Sequence, residues 1–187
     1  MWECVNFLIF TFTHFHIYTL TMRIFLIGFM GSGKTFWGTK IAESLQIPFY
    51  DLDAVIVGEL EMTIPEIFKI KGEEFFRYKE KQVLEELVAK KESFVLSSGG
   101  GTPCFFNNIK FMKRHGKVVW LNTSTQVLQQ RLMKERLTRP LLQDISESEL
   151  HTYIVRKLGE RKMYYEQADV TVREDELLLE PLISLLK

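Results

Sequence analysis

RIFLIGFMGSGKTFWGTKIAESL, residues 23 to 45, is the stretch that decides the fold of this chain. Its apolar start, RIFLI at 23–27, is typical of a buried strand, and KTFWGTKIAESL at 34–45 has the apolar spacing of a helix. Between them lies GFMGSGKT, residues 28 to 35, which matches the pattern G-x-x-x-x-G-K-[ST]. A glycine-rich turn at a helix N-terminus presents backbone N–H groups to phosphate oxygens. The stretch therefore predicts a site for a nucleoside triphosphate.

The side chains of this turn also suit phosphate chemistry. We expect Lys34 to reach the β- and γ-phosphates and the hydroxyl of Thr35 to ligate Mg²⁺. A chance glycine turn before a helix is the plain alternative, and the strand and helix on either side argue against it. The predicted nucleotide-binding residues of the turn are Gly28, Met30, Gly31, Ser32, Gly33, Lys34 and Thr35.

Beyond the turn, strand-like and helix-like segments alternate along the chain. Apolar runs typical of strands lie at 48–51, 94–97, 117–122 and 169–172. Helical patterns lie at 63–70, 73–91 and 107–116. Further helices are predicted to begin at about Ser124 and after the capping pair Ser146 and Glu149, and a last one lies at the carboxyl terminus. Apolar strands that alternate with helices predict an α/β fold, in which helices cover both faces of a parallel sheet.

Composition narrows the class of protein. The chain has 187 residues, which suits one domain with a sizeable core. Lys plus Arg and Asp plus Glu number 24 each, so the chain lacks the basic excess of a general nucleic-acid binder. Its two cysteines, Cys4 and Cys104, have neither metal-ligand spacing nor a disulfide framework, and they favour a reducing, cytoplasmic setting.

The first 21 residues differ from the rest, because they are rich in aromatic residues and nearly free of charge. They lack the basic start and the small-residue cleavage site of a signal peptide. Thr, His and Asn interrupt the apolar run that a membrane span would need. We therefore expect an extension at 1–21, a natural start at Met22, one domain over 22–187, and no stable membrane association.

Two carboxylates follow the second predicted strand, in YDLDAVI. The carboxyl ends of parallel strands face the ligand crevice, so Asp51 and Asp53 can share the work there. One can hold Mg²⁺ through water, and the other can take a proton from an attacking hydroxyl. The alternative is that Asp51 caps the next helix and Asp53 lies in its first turn.

Three arginines and three glycines are further candidates. Arg77 and Glu80 lie three residues apart on one helix face, either as a functional pair or as an ordinary solvated pair. Arg139 precedes a proline and suits a mobile loop that closes over phosphates, although a plain surface charge is the alternative. Arg161 lies late in a helix, where a cation is favourable in any case. GGG at 99–101 implies that some group approaches the backbone closely, although a flexible loop is the alternative.

Taken in order, these motifs resemble the shikimate kinase family from Met22 to the carboxyl terminus. The matching motifs are GFMGSGKT, DLD at 51–53, GEEFFRYKE at 72–80, SSGGGTP at 97–103, RPLL at 139–142 and ERKMYYEQAD at 160–169. The resemblance implies a three-layer α/β/α fold of the nucleoside monophosphate kinase type with a five-stranded parallel sheet. It also implies a substrate-binding subdomain at about 51–80 and a lid at about 134–146. The reaction would be phosphorylation of the 3-hydroxyl of shikimate by ATP, in the route to chorismate and the aromatic amino acids.

The resemblance implies roles for single residues. Asp53 would bind the shikimate hydroxyls and act as the base, while Asp51 would assist Mg²⁺ through water, with Ser98 as a further candidate for the metal. Arg77, oriented by Glu80, would bind the shikimate carboxylate together with Arg161. The remaining implied roles are the lid arginine Arg139 on the phosphates, Arg131 or Arg136 on adenine, and Gly99, Gly100 and Gly101 against the sugar-like ring, where a Cβ would clash.

The sequence departs from the family in two places and leaves other functions open. Ser98 stands where the family more often has Thr, and Met163-Tyr164-Tyr165 stands where it usually has Pro-Leu-Tyr. The alternatives are a kinase for another small polyol acid such as gluconate, a nucleoside monophosphate kinase, and a catalytically silent binding module. We expect a monomer whose partners are ATP and shikimate.

Overall fold

The computed structural model describes residues 21–135, 145–173 and 177–186. The strands in these ranges are β1 (Arg23–Ile27), β2 (Phe49–Asp51), β3 (Phe94–Ser97), β4 (Lys117–Asn122) and β5 (Val170–Arg173). The helices are α1 (Lys34–Leu45), α2 (Leu52–Leu60), α3 (Ile64–Lys90), α4 (Asn108–His115), α5 (Thr125–Glu135), α6 (Glu147–Tyr165) and α7 (Leu179–Leu186), with a short 3₁₀ turn at Thr102–Cys104. The predicted elements agree with these bounds to within about two residues once α3 is divided at Gly72. The predicted helical patterns do not include α2 or the 3₁₀ turn.

The five strands form one parallel sheet in the order β2-β3-β1-β4-β5. The predicted parallel sheet is therefore confirmed. Strand β1 lies between β3 and β4, so the loops that follow β1 and β3 leave the same edge of the sheet side by side. This edge is where parallel sheets bind ligands, and it places GFMGSGKT next to SSGGGTP.

Helices cover both faces of the sheet, as predicted. Alternate residues of β1 point to opposite faces: Phe25 and Ile27 pack under α2, α3 and α4, and Ile24 and Leu26 pack against α1 and α7. A third apolar cluster joins α5 to α6 beneath Phe29, a residue of the glycine-rich turn. Because the turn sits directly on this packing, the core supports it from below.

Helix α3 consists of two helices that meet at a bend. Thr63 and Glu66 form the predicted capping box at its start, with the Thr63 N–H donating to Glu66 Oε2 at 2.8 Å. Gly72 has φ 83° and ψ 168°, a conformation open in practice to glycine alone. The backbone is therefore non-helical at Gly72, in agreement with the predicted end of one helix at Lys71-Gly72 and the predicted start of the next at residue 73. The second half carries Arg77 and Glu80 towards the edge of the sheet.

Several predictions fall outside the described residues. These are most of the extension at 1–21 and most of the lid, with Arg136 and Arg139. Met22 is described, and its main chain joins the sheet region through bonds to Ser93 Oγ and to the Phe94 N–H. Within 21–135, 145–173 and 177–186, no helix is both long and apolar enough to cross a membrane.

Candidate active site

The glycine-rich turn joins β1 to α1 and leads directly into the helix N-terminus. Gly33 caps α1 with φ 83°, which a residue with a side chain adopts only under strain. Lys34 is buried, and its Nζ donates to the carbonyl oxygens of Gly28 at 3.0 Å and Phe29 at 2.8 Å. Ser32 Oγ is buried and has no hydrogen-bond partner among the described residues. A buried hydroxyl in this position calls for a polar ligand, since burial without a partner costs free energy.

A cavity of about 610 Å³ opens above the turn. Its lining combines the turn, the end of β2, the end of β3 and helix α5: Met30, Gly31, Gly33, Lys34, Thr35, Phe36, Asp51, Asp53, Ser97, Ser98, Gly99, Gly100 and Arg131. Arg131 reaches the rim from α5, and its Nη1 donates to the Gly31 carbonyl at 3.1 Å. One cavity therefore contains most of the residues predicted for the nucleotide and for the metal.

Asp51 performs two structural tasks at the floor of this cavity. Its Oδ1 accepts the N–H groups of Asp53 and Ala54, at 3.1 and 3.3 Å, and so caps α2. Its Oδ2 accepts the hydroxyl of Thr35 at 3.0 Å. The alternative in which Asp51 caps α2 is therefore correct. Asp51 also lies next to Thr35, so the two side chains predicted for the metal are neighbours. Ser98 Oγ donates to the Leu26 carbonyl at 3.1 Å, which leaves its lone pairs available.

Asp53 lies in the first turn of α2 with its carboxylate pointing inward. Burial, followed by the negative charges of Glu80 and Asp51, raises its pKa from 3.8 to about 6, against the opposing effect of Lys34. Its Oδ1 is buried and has no hydrogen-bond partner within the described part of the chain. A carboxylate with an unused oxygen and a pKa near neutrality suits a general base.

Arg77 and Glu80 form an ion pair in which Glu80 is buried and Arg77 is half-buried, so the alternative of a solvated surface pair is wrong. Glu80 is 0 % exposed, and its Oε2 accepts Arg77 Nη1 at 2.7 Å. Glu73, which is exposed, accepts hydrogen bonds through Oε1 from Arg77 Nε and Nη2, both at 3.1 Å. The ring of Phe105 lies 4.7 Å from the guanidinium carbon of Arg77. Four contacts hold one cation in a single orientation.

The three glycines lie close against the protein's own side chains. A Cβ on Gly99 would lie 2.6 Å from Glu80 Oε1, and one on Gly101 would lie 2.8 Å from Arg77 Nη1. A Cβ on Gly100 would lie 3.1 Å from Arg161 Nη1. The flexible-loop alternative does not account for this crowding. The charged side chains converge on the glycine backbone, so residues 99–101 form the base of a charged pocket beside the glycine-rich turn.

Arg161 completes the charged group, together with residues that the sequence analysis missed. Its guanidinium carbon lies 5.4 Å from the ring of Phe29. Tyr165, one helical turn further along α6, donates its hydroxyl to the Gly100 carbonyl at 2.5 Å. The four-residue spacing from Arg161 could have indicated Tyr165, since such residues share a helix face. No local signal indicates Thr102, which donates its hydroxyl to Glu80 Oε1 across 22 positions.

The geometry can be compared with known proteins. The shikimate kinase family model matches residues 30–183. A shikimate kinase of Bacteroides thetaiotaomicron is 44 % identical over 156 residues, which are 83 % of this chain and 89 % of that protein. A crystal structure of a shikimate kinase from the same organism has a TM-score of 0.81 at 40 % identity, and the match covers 88 % of this chain and 96 % of the other.

Another solved structure, the shikimate kinase of Acinetobacter baumannii in complex with shikimate, has a TM-score of 0.78 at 35 % identity, and the match covers 89 % of this chain and 91 % of that one. A gluconokinase of Sinorhizobium meliloti has a TM-score of 0.51 at 20 % identity, with 88 % and 89 % covered, and shares the fold alone. The gluconate alternative therefore gains no support beyond the common scaffold. By the match to the family model and by identity over most of its length, this chain belongs to the shikimate kinase family.

Proposed function

We propose that the chain transfers the γ-phosphate of ATP to the 3-hydroxyl of shikimate, giving shikimate 3-phosphate and ADP for chorismate and aromatic amino-acid synthesis. One observation carries the proposal. Asp53, Arg77 and Arg161 meet over residues 99–101, next to a turn with the phosphate-binding pattern. Two guanidinium groups suit the carboxylate of the acceptor, and a carboxylate with a raised pKa suits its hydroxyl.

At the nucleotide, the turn would bind the phosphates through its backbone N–H groups and through Ser32 Oγ. Lys34 would exchange its two carbonyl contacts for phosphate oxygens and neutralise the charge that develops during transfer. Arg131, at the rim of the cavity, would stack on the base, and Arg136 is the second candidate for this role. Arg139 would approach the phosphates from the lid.

The residues present fit a Mg²⁺ ion bound together with the nucleotide. The donor set is oxygen only, with the Thr35 hydroxyl 3.0 Å from Asp51 Oδ2 and Ser98 Oγ lining the same cavity. The described residues contain no cluster of three or more His, Cys, Asp or Glu that would form a cage on its own. An oxygen-only donor set suits Mg²⁺, which usually keeps several waters and binds one or two carboxylates plus phosphates. When bound, the ion would supply positive charge beside the phosphates.

At the acceptor, Arg77 and Arg161 would hold the shikimate carboxylate, with Glu80 keeping Arg77 in place. The free Oδ1 of Asp53 would accept a hydrogen bond from the 3-hydroxyl. As that oxygen attacks the γ-phosphorus, its proton would pass to Asp53. The N–H groups of residues 99–101 would donate to the ring substituents.

Further proposals concern the whole chain. We propose that residues 22–187 are the kinase domain, with a substrate-binding subdomain at about 51–80 and a lid at about 134–146, and that the enzyme acts as a monomer in the cytoplasm. The family model covers residues 30–183, which supports the position of the domain.

A coupled ADP-release assay with separate acceptors tests the function. Shikimate, quinate, gluconate, AMP and CMP are supplied in turn with ATP and Mg²⁺. We expect turnover with shikimate and little with the other four. Turnover with gluconate alone would support the other polyol acid kinase, turnover with AMP or CMP would indicate a nucleotide acceptor, and no ADP release with any acceptor would support a silent binding module.

A further inference from the structure

Thr102 is the first residue of the 3₁₀ turn that follows the three glycines, and it is fully buried. Its main chain is fixed at both ends: the N–H donates to the Gly99 carbonyl at 3.1 Å, and the carbonyl accepts Asn108 Nδ2 at 3.0 Å. Asn108 is itself buried at the start of α4. The Thr102 side chain therefore has a defined direction, and its hydroxyl donates to Glu80 Oε1.

The two oxygens of Glu80 have different partners. Oε1 accepts the Thr102 hydroxyl, and Oε2 accepts Arg77 Nη1 at 2.7 Å. A carboxylate bound through one oxygen only can still rotate about its last torsion, which is broad for glutamate. With both oxygens bound, that rotation is removed, and the direction of Oε2 towards Arg77 is set by the position of Thr102.

We propose that Thr102 is a positioning residue for the acceptor, in that its hydroxyl holds Glu80 and Glu80 in turn holds the Arg77 guanidinium in the orientation that binds the acceptor carboxylate. The inference rests on the proposed function, since it assigns the acceptor carboxylate to Arg77. The inference adds Thr102 to the residues that support the acceptor site. Asn108, which donates to the Thr102 carbonyl, is then connected to that site through Thr102.

The charges around Glu80 make the proposal visible in a pH profile. Glu80 faces Arg77 on its own helix, Arg161 on α6, Asp53 on α2 and Cys104 on the turn. Burial raises the pKa of Glu80, while Arg77 and the hydrogen bond from Thr102 oppose that rise. Without the hydroxyl, Glu80 takes up a proton at a higher pH than before and loses its ion pair with Arg77.

Two pairs of enzymes that differ at one atom provide the test. Thr102→Ser and Thr102→Ala differ only in the hydroxyl oxygen, and the unmodified enzyme and Thr102→Val differ only in hydroxyl against methyl. KM for shikimate, KM for ATP and kcat are measured across the acid range, with Arg77→Lys as a reference for a lost bidentate contact. If Thr102→Val does not fold, the Ser and Ala pair makes the same comparison.

We expect Ala and Val to raise KM for shikimate roughly tenfold. KM for ATP stays constant in all variants. KM for shikimate in Thr102→Ser stays close to that of the unmodified enzyme. We also expect KM for shikimate to increase as the pH is lowered. In Thr102→Ala and Thr102→Val this increase should begin at a higher pH than in the unmodified enzyme. Equal KM values for Ser and Ala, with parallel pH profiles, would overturn the proposal and leave Thr102 a packing residue. An unmodified enzyme that uses another acceptor would instead overturn the proposed function, so the two failures are distinct.

Discussion

Asp53 is the residue at which folding and chemistry oppose each other. Its carboxylate is buried near Glu80 and Asp51, and its Oδ1 has no hydrogen-bond partner among the described residues. A folded protein gains nothing from such a group when it is ionised, because a buried charge without full hydrogen bonding costs free energy. The same environment raises its pKa to about 6, close to the value at which a base works well.

Asp53→Asn should separate these two effects. We expect turnover with shikimate to fall by about 10²–10⁴-fold, because the amide cannot take the hydroxyl proton. In the unmodified enzyme, kcat/KM should fall with decreasing pH through about 6, as Asp53 becomes protonated. Loss of turnover without loss of the folded state, checked by circular dichroism, would fit the assignment, and near-normal turnover would contradict it.

The same substitution should change stability in a pH-dependent way. The pKa of Asp53 is raised on folding, so its favourable contribution is present below about 3.8 and is lost as the pH rises through about 6. This rise in the pKa of Asp53 corresponds to at most about 3 kcal/mol of folding free energy. Urea unfolding should therefore show Asp53→Asn to be more stable than the unmodified enzyme at about pH 8, with the difference closing near about pH 4. Equal stabilities at both pH values would mean that Asp53 is solvated.

At the scale of elements, the bend in α3 decides whether Arg77 reaches the pocket. The two halves of α3 meet at Gly72, where φ is 83° and ψ is 168°. The first half packs Ile67 into the core, and the second half turns Arg77 and Glu80 towards residues 99–101. A straight helix through this point would place the two halves on one axis, so the bend is part of the site's construction.

Gly72→Ala should therefore destabilise the protein, even though nothing lies within 4 Å of the added Cβ. The cost comes from the backbone conformation, and we expect about 1–3 kcal/mol in urea unfolding. Gly58→Ala is the matched control, because Gly58 lies inside helix α2 and also has open space around its Cβ. There alanine should stabilise by about 0.5–1 kcal/mol. A Gly72→Ala variant that is as stable as Gly58→Ala would show that the bend is not strained.

At the scale of the whole molecule, the order of strands assembles the site from distant parts of the chain. The neighbouring strands β1 and β3 deliver the glycine-rich turn and the three glycines to one edge, although these motifs lie far apart in sequence. Helix α6 then brings Arg161 over Gly100 from the carboxyl-terminal half. Met22 joins this sheet through its bonds to Ser93 and Phe94, which makes it a structural part of the domain.

A chain that begins at Met22 should therefore fold and turn over like the full chain. The bonds of Met22 to residues 93 and 94 are kept in that variant, as is every residue of the proposed site. We expect equal kcat, equal KM for shikimate and an equal midpoint of thermal unfolding. A large loss in any of these would assign residues 1–21 a part in the enzyme, and intact-mass analysis of the protein made from its own gene would show which form the cell makes.

The sequence by itself determined the elements and most of the candidate site, because those signals are local. Lys34 and Thr35 stand at set spacings within one turn, Thr63 and Glu66 lie within one capping box, and the alternation of apolar strands with helices predicts the parallel sheet. Most of the residues predicted for the nucleotide accordingly line one cavity in the structure. The acceptor side could be predicted by residue type, through the order of the motifs.

Only the tertiary structure decided the environment of those residues. From the sequence, Arg77 and Glu80 fit a solvated pair as well as a functional one, and burial of Glu80 in the structure excludes the solvated pair. The raised pKa of Asp53 and the contact of Thr102 with Glu80 likewise arise from tertiary packing. Burial, crowding and charge depend on which groups the sheet brings together across long stretches of chain, and no local pattern encodes that proximity. Side-chain type is a property of the sequence, whereas desolvation and Coulomb interaction are properties of distances in the folded molecule.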